Sequence, residues 1–210
     1  MEAGAFWFIR RAIWVAVVGV LAVVLTACTA QGGGYLPAGP SASDAFPATV
    51  FTDRASFAFN FSCEDNGGVN PRTGQLRGQL TYVDHGSSLL LGSPFSIHGT
   101  VDILDPVLES AICIGQNPPP GGNELIFLGR YRLTSPAPAG FPSTCATRET
   151  EATPLCRFEV IVRDNDGIPG SSTGDFFSIK LSRATAVSSE LSDVFYARAG
   201  IPEGGNITVK

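Results

Sequence analysis

Three aspartates in one short stretch are the clearest candidates for chemistry in this sequence. Asp164, Asp166 and Asp175, with Asn165 among them, place several oxygen ligands around a glycine-containing loop. Calcium takes about six to eight oxygen ligands in proteins, so this loop predicts a calcium site, although its spacing does not match an EF-hand. The alternative is that the same Asp and Asn side chains bond to nearby backbone and simply form the turn.

A second candidate is Asp84 with His85, at the end of an alternating polar and apolar segment. An acid–base or metal pairing of His85 with His98 is the chemistry that the two histidines offer. Asp84, His85 and the loop from Asp164 to Asp175 together define an enzymatic hypothesis, a metal-assisted hydrolase. The sequence has no HExxH or phosphate-binding glycine motif. It has no nucleophile elbow either, because Gly170-Ser171-Ser172-Thr173-Gly174 matches GxSxG but no helical pattern follows it, so a non-catalytic protein is favoured.

The amino terminus has the pattern of an export signal. Arg10 and Arg11 precede Ala12–Ala27, a run of 16 residues without a charge. That run is shorter than the roughly 20 residues that span a bilayer as a helix. Met1–Ala27 is therefore predicted to be a signal peptide helix, and the alternative is a retained membrane anchor.

The end of that run, Leu25-Thr26-Ala27-Cys28, resembles the bacterial lipobox. The resemblance implies that Cys28 receives a diacylglycerol and becomes the first residue of the mature protein. Palmitate and other acyl chains would then hold the protein by about 0.8 kcal/mol per buried methylene. The expected location is the outer face of the cytoplasmic membrane or the outer membrane. The alternative is cleavage after Ala30, which would release a free secreted protein.

The cysteine count agrees with export. Of five cysteines, lipidation of Cys28 leaves four for disulfides, which allow three connectivities. Cys145 and Cys156 enclose a short segment, and Cys63 and Cys113 each end an apolar alternating run, so we favour Cys63–Cys113 with Cys145–Cys156. No CxxC pair or histidine cluster accompanies them, which indicates structural disulfides in an oxidising compartment rather than zinc ligands.

Short alternating segments separated by Gly and Pro predict an all-β fold. Ala55–Cys63 places Phe57, Phe59 and Phe61 on one face, the period-two pattern of a half-buried strand. We expect an antiparallel β-sandwich, or a flattened barrel, of about ten strands. The other predicted strands are Gln75–Val83, the alternating set from Phe95 to Ile103, Leu108–Ile114, Glu124–Leu133, Arg157–Arg163, Asp175–Leu181, Asp193–Arg198 and Asn206–Lys210.

Composition limits the class of protein. The 210 residues include 24 Gly and 15 Pro, only 16% are charged and 44% are hydrophobic. These values exclude a coiled coil, a helical bundle and a charge-rich disordered chain. A net charge of −5 argues against a nucleic-acid binder. We expect a lipidated amino terminus and tether over 28–44, then one domain over 45–210, with an edge strand that could begin near residue 33.

Several segments resemble, in order, the post-COAP domain, an accessory module of bacterial exported proteins. They include Tyr82-Val83-Asp84-His85, the loop Asp164-Asn165-Asp166-Gly167 leading through Gly174-Asp175 into Phe177-Ser178-Ile179, and Gly204–Val209. The resemblance implies a β-rich extracellular domain with no established enzymatic activity. The resulting prediction is a lipid-anchored, non-catalytic binding or structural module of the bacterial envelope. Its expected partners are the membrane, through the lipid, and an envelope protein or a glycan.

Overall fold

One large antiparallel sheet dominates the structure. The computed structural model describes residues 28–46, 49–64, 75–86, 91–101, 123–146, 156–166, 174–184 and 191–209. The elements in these ranges are β1 (Cys28–Leu36), β2 (Gly39–Pro40), β3 (Val50–Phe51), β4 (Ala55–Glu64), β5 (Gln75–Asp84), β6 (Phe95–Val101), β7 (Glu124–Leu133), a 3-10 turn (Ser143–Cys145), β8 (Arg157–Arg163), β9 (Phe176–Ser182), β10 (Val194–Gly200) and β11 (Glu203–Val209).

Nine strands pair in the order β10-β9-β8-β7-β6-β5-β4-β1-β11, and β2 pairs separately with β3. The predicted all-β antiparallel class is confirmed. The observed Glu124–Leu133 and Arg157–Arg163 strands have the predicted bounds. The predicted strand Leu108–Ile114 and residue Ile103 lie outside the described residues.

The segment 28–44, predicted to be a tether with an edge strand that could begin near residue 33, begins in the structure as a strand at Cys28. Cys28–Leu36 is a full strand inside the sheet, hydrogen-bonded to β4 on one side and to β11 on the other. A Cβ on Gly32 would lie 2.7 Å from the Asn206 carbonyl oxygen and 3.0 Å from the Phe59 ring. Glycine lets these neighbours approach the strand, but a glycine run has low β propensity. The residue types that permit the close packing therefore concealed the strand in the sequence.

The sheet curls so that strands far apart in its order share one core. Phe57 of β4 stacks on Phe177 of β9 with ring centroids 3.8 Å apart, and Phe61 of β4 stacks on Phe127 of β7 at 3.9 Å. All four rings are buried. Because adjacent strands twist relative to each other, a nine-stranded sheet can turn its apolar face onto itself. One curled sheet therefore encloses the apolar core, whereas a β-sandwich would enclose it between two separate sheets.

Glycines make room at the middle of this curl. The Phe158 ring lies against Gly99 of β6 and Gly129 of β7, and a Cβ at either glycine would approach that ring to 2.7 Å. Phe158 itself is fully buried. Because Gly99 and Gly129 have no side chain, the backbones of β6 and β7 can lie directly against the Phe158 ring.

One edge of the sheet is covered by the segment after β1. The Ala42 N–H donates to the Ala199 carbonyl oxygen at 2.9 Å, and the Ala199 N–H donates to Ser41 Oγ at 3.0 Å. Ala199 belongs to β10, the edge strand. These contacts occupy backbone groups that an open edge would offer to another chain.

Candidate functional site

The structure brings the three predicted aspartates together. Carboxylate oxygens of Asp164, Asp166 and Asp175 lie within 4.8 Å of one another. Asp164 follows the last residue of β8, and Asp175 precedes the first residue of β9, so the hairpin between these paired strands fixes the cluster. Asp166 is exposed and Asp164 is buried.

Two of these carboxylates hold the free edge of β11. Asp175 Oδ2 accepts the backbone N–H of Ile207 at 2.8 Å, and Asp164 Oδ2 accepts that of Val209 at 3.0 Å. Ile207 and Val209 alternate along β11, so their N–H groups point to the same side of the strand. We call Asp164, Asp175 and these two N–H groups the β11 latch. It joins the last strand of the sheet to the β8–β9 hairpin by side-chain bonds instead of a strand pairing.

Other polar contacts at the cluster form its turn. Asp175 Oδ1 accepts the backbone N–H of Asn165 at 3.1 Å and of Asp166 at 3.5 Å. Asn165 Nδ2 donates to the Gly174 carbonyl oxygen at 2.8 Å, which ties the two sides of the hairpin. This is the turn chemistry that the sequence offered as the alternative to a metal.

Repulsion among the three carboxylates favours protonation of Asp166. The negative charge of Asp175 raises the pKa of Asp166, and burial and the charge of Asp164 act in the same direction. A cation would relieve the same repulsion, but Asp175 and Asp164 already accept backbone N–H bonds, and calcium needs about six to eight oxygens. Calcium binding at these residues stays a prediction.

Asp84 lies inside the protein, and both of its carboxylate oxygens accept hydrogen bonds. Its Oδ2 accepts the hydroxyl of Tyr196 at 2.6 Å, and its Oδ1 accepts Arg198 Nη1 and the Gly86 N–H, each at 3.1 Å. Burial raises the pKa of Asp84, against the opposite influence of Tyr196 and Arg198. Tyr196 also bonds the buried hydroxyl of Tyr82 at 2.5 Å, and burial raises the pKa of both tyrosines.

Arg198 is the centre of this network. Its Nη2 donates to the carbonyl oxygens of Leu36 at 3.3 Å, Pro37 at 2.7 Å and Asp53 at 2.7 Å. Its guanidinium carbon also lies 4.2 Å from the centre of the Phe51 ring. One buried cation thus joins the end of β1, the segment before β4, the end of β5 and strand β10. The sequence contained no signal for it, because an arginine in a strand is ordinarily exposed.

The structure separates Asp84 from its neighbour His85. Asp84 is 1% exposed, whereas His85 is exposed and its Nε2 lies 2.9 Å from Ser56 Oγ. His98 lies on the outer face of β6, and in the described part of the chain neither histidine joins the three clustered aspartates. The residues required by the hydrolase hypothesis therefore lie in different environments: Asp84 is in the interior, and His85 is at the surface.

A polar recess on the outer face of the sheet was not predicted. Consecutive cross-strand partners Thr208, Gln31, Asn60 and Gln79 form one row across β11, β1, β4 and β5. They line a recess of about 500 Å³ with Thr29, Ala30, Phe61, Ser62, Arg77 and Gly78. Alternation in each segment predicts an outward polar face, but only the strand order and register align these residues.

The cysteines have three different outcomes. Cys145 and Cys156 form a disulfide, one of the two pairings that the sequence favoured. Cys113, the predicted partner of Cys63, lies outside the described residues. The Cα of Cys63 instead pairs across the ladder with Cys28, at the start of β1. Lipidation of Cys28 stays a prediction.

The fold and these contacts define an all-β protein built on one curled antiparallel sheet. No protein-family profile matches the chain, no curated protein matches it in sequence, and no solved structure matches it. The resemblance to the post-COAP domain therefore stays a prediction. Within the ranges described, no helix is both long enough and apolar enough to cross a membrane.

Proposed function

We propose that this protein is a lipid-anchored, non-catalytic binding or structural module of the bacterial envelope. The lipobox-like sequence ending in Cys28 supports the anchor. The Cys145–Cys156 disulfide supports a location outside the cytoplasm, because disulfides persist in oxidising compartments. The polar recess supplies a surface for contacts, with amide, hydroxyl and guanidinium groups on its lining.

The observation that carries the non-catalytic part is how the candidate catalytic groups are used. Asp84 is bonded to Tyr196 and Arg198 in the interior, and Asp175 is bonded to the backbone of β11. A general base needs a lone pair directed at a substrate proton within hydrogen-bond reach. Carboxylates that already accept two or three bonds from the fold are better suited to holding it together.

Labelling with radioactive palmitate in a bacterial host tests the anchor. The parent chain is expected to take up label and to fractionate with membranes, and Cys28→Ala is expected to lose both properties. Cys63→Ala is the matched control, because it removes a cysteine and leaves the lipobox-like segment intact. Label that persists in Cys28→Ala would contradict the proposed anchor.

A hydrolysis screen tests the non-catalytic part. Purified protein is incubated with nitrophenyl esters, phosphates and glycosides in the presence of millimolar calcium or zinc, and no turnover is expected. His85→Gln is the informative variant, because His85 is exposed and its substitution leaves the buried Asp84 network in place. Turnover in the parent that disappears in His85→Gln would favour the hydrolase instead.

A further inference from the structure

The polar recess on the outer face of the sheet contains a row of amide and hydroxyl side chains. Thr208, Gln31, Asn60 and Gln79 are successive cross-strand partners on β11, β1, β4 and β5. Neighbouring strands lie about 4.8 Å apart, so the row extends over roughly 14 Å. The three amide residues are exposed, so a ligand in solution can reach the row.

A second row lies beside the first and gives the recess its width. Thr29, Ser62 and Arg77 are cross-strand partners two residues away along their strands, or about 7 Å. The volume of the recess, about 500 Å³, is within the range of about 300–1,000 Å³ typical of ligand pockets. The recess is therefore large enough for part of a chain molecule to lie along the amide row.

The chemistry of the lining favours a ligand that forms hydrogen bonds. None of the ten described residues that line the recess is acidic, so they offer no carboxylate to a metal ion. Phe61 is the one aromatic residue among them, but it is 3% exposed and its ring stacks on Phe127 in the core. The side chains that face a ligand are therefore amides, hydroxyls and the guanidinium of Arg77.

Two contacts orient these groups before any ligand binds. The backbone N–H of Gln79 donates to Asn60 Oδ1 at 3.2 Å, which leaves Asn60 Nδ2 as a donor for a ligand. Asn206 Nδ2 donates to Thr208 Oγ1 at 3.2 Å, which leaves the hydroxyl hydrogen of Thr208 for the same use. Side chains that are already oriented lose less conformational entropy on binding.

We propose that the polar recess binds a glycan, a linear chain of neutral sugars. The proposal rests on the binding role set out under the proposed function and gives the class of partner. Each sugar hydroxyl donates and accepts hydrogen bonds, as the amide and hydroxyl side chains of the row do, so successive sugars can bond to successive strands. A protein partner is disfavoured, because protein interfaces depend on buried aromatic and apolar anchors, which the exposed side chains of this lining do not provide.

An NMR titration of the full chain tests the glycan site. The chain is labelled with nitrogen-15, purified in a detergent that has no sugar headgroup, and titrated with oligosaccharides of N-acetylglucosamine and of glucose. We expect chemical-shift changes at the side-chain amides of Gln31, Asn60 and Gln79. Binding is expected to be weak, because the sugar exchanges hydrogen bonds to water for hydrogen bonds to the protein.

Two variants locate the binding. Gln31→Ala removes the amide of β1 from the row, and we expect it to weaken binding about three- to tenfold, the effect of losing about one hydrogen bond. Thr81→Ala is the matched control and is expected to leave the affinity unchanged, because Thr81 is an exposed residue of β5 outside the recess. Equal affinities in the parent chain and Gln31→Ala would overturn the recess as the binding site.

The other outcomes separate this inference from the function on which it rests. No shift with either oligosaccharide, in a chain that still takes up palmitate, overturns the glycan site and leaves the anchor in place. An alanine oligopeptide that shifts the same amides as strongly as the sugars overturns the preference for glycans. Oligosaccharides that bind at the row and are also shortened would support the glycan site but contradict the non-catalytic function.

Discussion

The carboxylate of Asp175 accepts the backbone N–H of Ile207 at 2.8 Å, and this bond closes the curled sheet at its carboxyl-terminal edge. Asp164 makes the equivalent bond to Val209 two residues further along. The opposite edge is covered by Ser41 and Ala42, which bond to the backbone of β10. Both edge strands of the nine-stranded sheet thus have part of their backbone hydrogen-bonding groups occupied, which leaves fewer of them for another chain.

The β11 latch is expected to contribute measurably to stability. Asp175→Asn keeps the size of the side chain but replaces one acceptor oxygen by an amide nitrogen, so either the Ile207 N–H or the Asn165 N–H loses its bond. The expected loss is about 1–3 kcal/mol in the free energy of unfolding. Urea unfolding measures it. Asp166→Asn is the matched control, since the β11 N–H groups of Ile207 and Val209 donate to Asp175 and Asp164 and not to Asp166. An equal loss in Asp166→Asn would contradict this role.

The cluster also predicts an unusual pH dependence. Repulsion from Asp175 is the main cause of the raised pKa of Asp166. The Asp166 carboxyl group therefore ionises less readily in the folded state than in the unfolded state. This group therefore favours folding below its ordinary pKa of 3.8, and that contribution is lost as the pH rises through the higher folded value. Asp166→Asn should give a small rise in melting temperature at pH 7 that vanishes near pH 3. A rise of equal size at both pH values would rule out the electrostatic explanation.

Removing the partner of buried Arg198 should be far more costly than removing a surface ion pair. Asp84→Asn leaves a guanidinium with a 2% exposed side chain without its carboxylate, and we expect a loss of about 3–5 kcal/mol in unfolding free energy. Glu124→Gln breaks the exposed pair with Arg163 and is expected to cost at most about 1 kcal/mol. Guanidinium chloride titrations of the two variants compare the costs. Similar losses would show that the buried network does not have the predicted role.

Peptide mapping without reduction tests the cysteine assignments. The lipidated protein is expected to yield two cross-linked peptides, one joining Cys145 to Cys156 and one joining Cys63 to Cys113. Cys28 and Cys63 are opposite each other in the ladder. A Cys28 thiol that carried no lipid would therefore be available to form a disulfide with Cys63. A Cys28–Cys63 peptide recovered from the membrane fraction would contradict the lipid anchor.

Strands with large alternating side chains could be predicted from the sequence, and strands made of small residues could not. The spacing of Phe57, Phe59 and Phe61 predicts the buried face of a strand, because aromatic residues at every second position are typical of a half-buried strand. β1 contains three successive glycines and no comparable signal. Its place between β4 and β11 depends on those absent side chains, which let Phe59 and the β11 backbone come close.

The candidate sites divide in a similar way. The three aspartates are close in sequence, and one hairpin is sufficient to bring them together, so their proximity could be predicted. Asp84 and Arg198 are 114 residues apart, and their contact requires the sheet to curl until β5 meets β10. No local pattern contains that information, and adjacency in sequence wrongly suggested His85 as the working partner of Asp84.

The all-β class, most strand positions and the aspartate hairpin could be read from the sequence, which also favoured the Cys145–Cys156 pairing among three connectivities. Each of these follows from side-chain periodicity or from short separations along the chain. The strand order, the contacts at both edge strands, the Arg198 network and the position of Cys28 at the start of β1, next to the edge strand β11, became visible in the folded structure alone. Those features depend on twist accumulated over nine strands and on contacts between distant residues, which local sequence patterns do not specify.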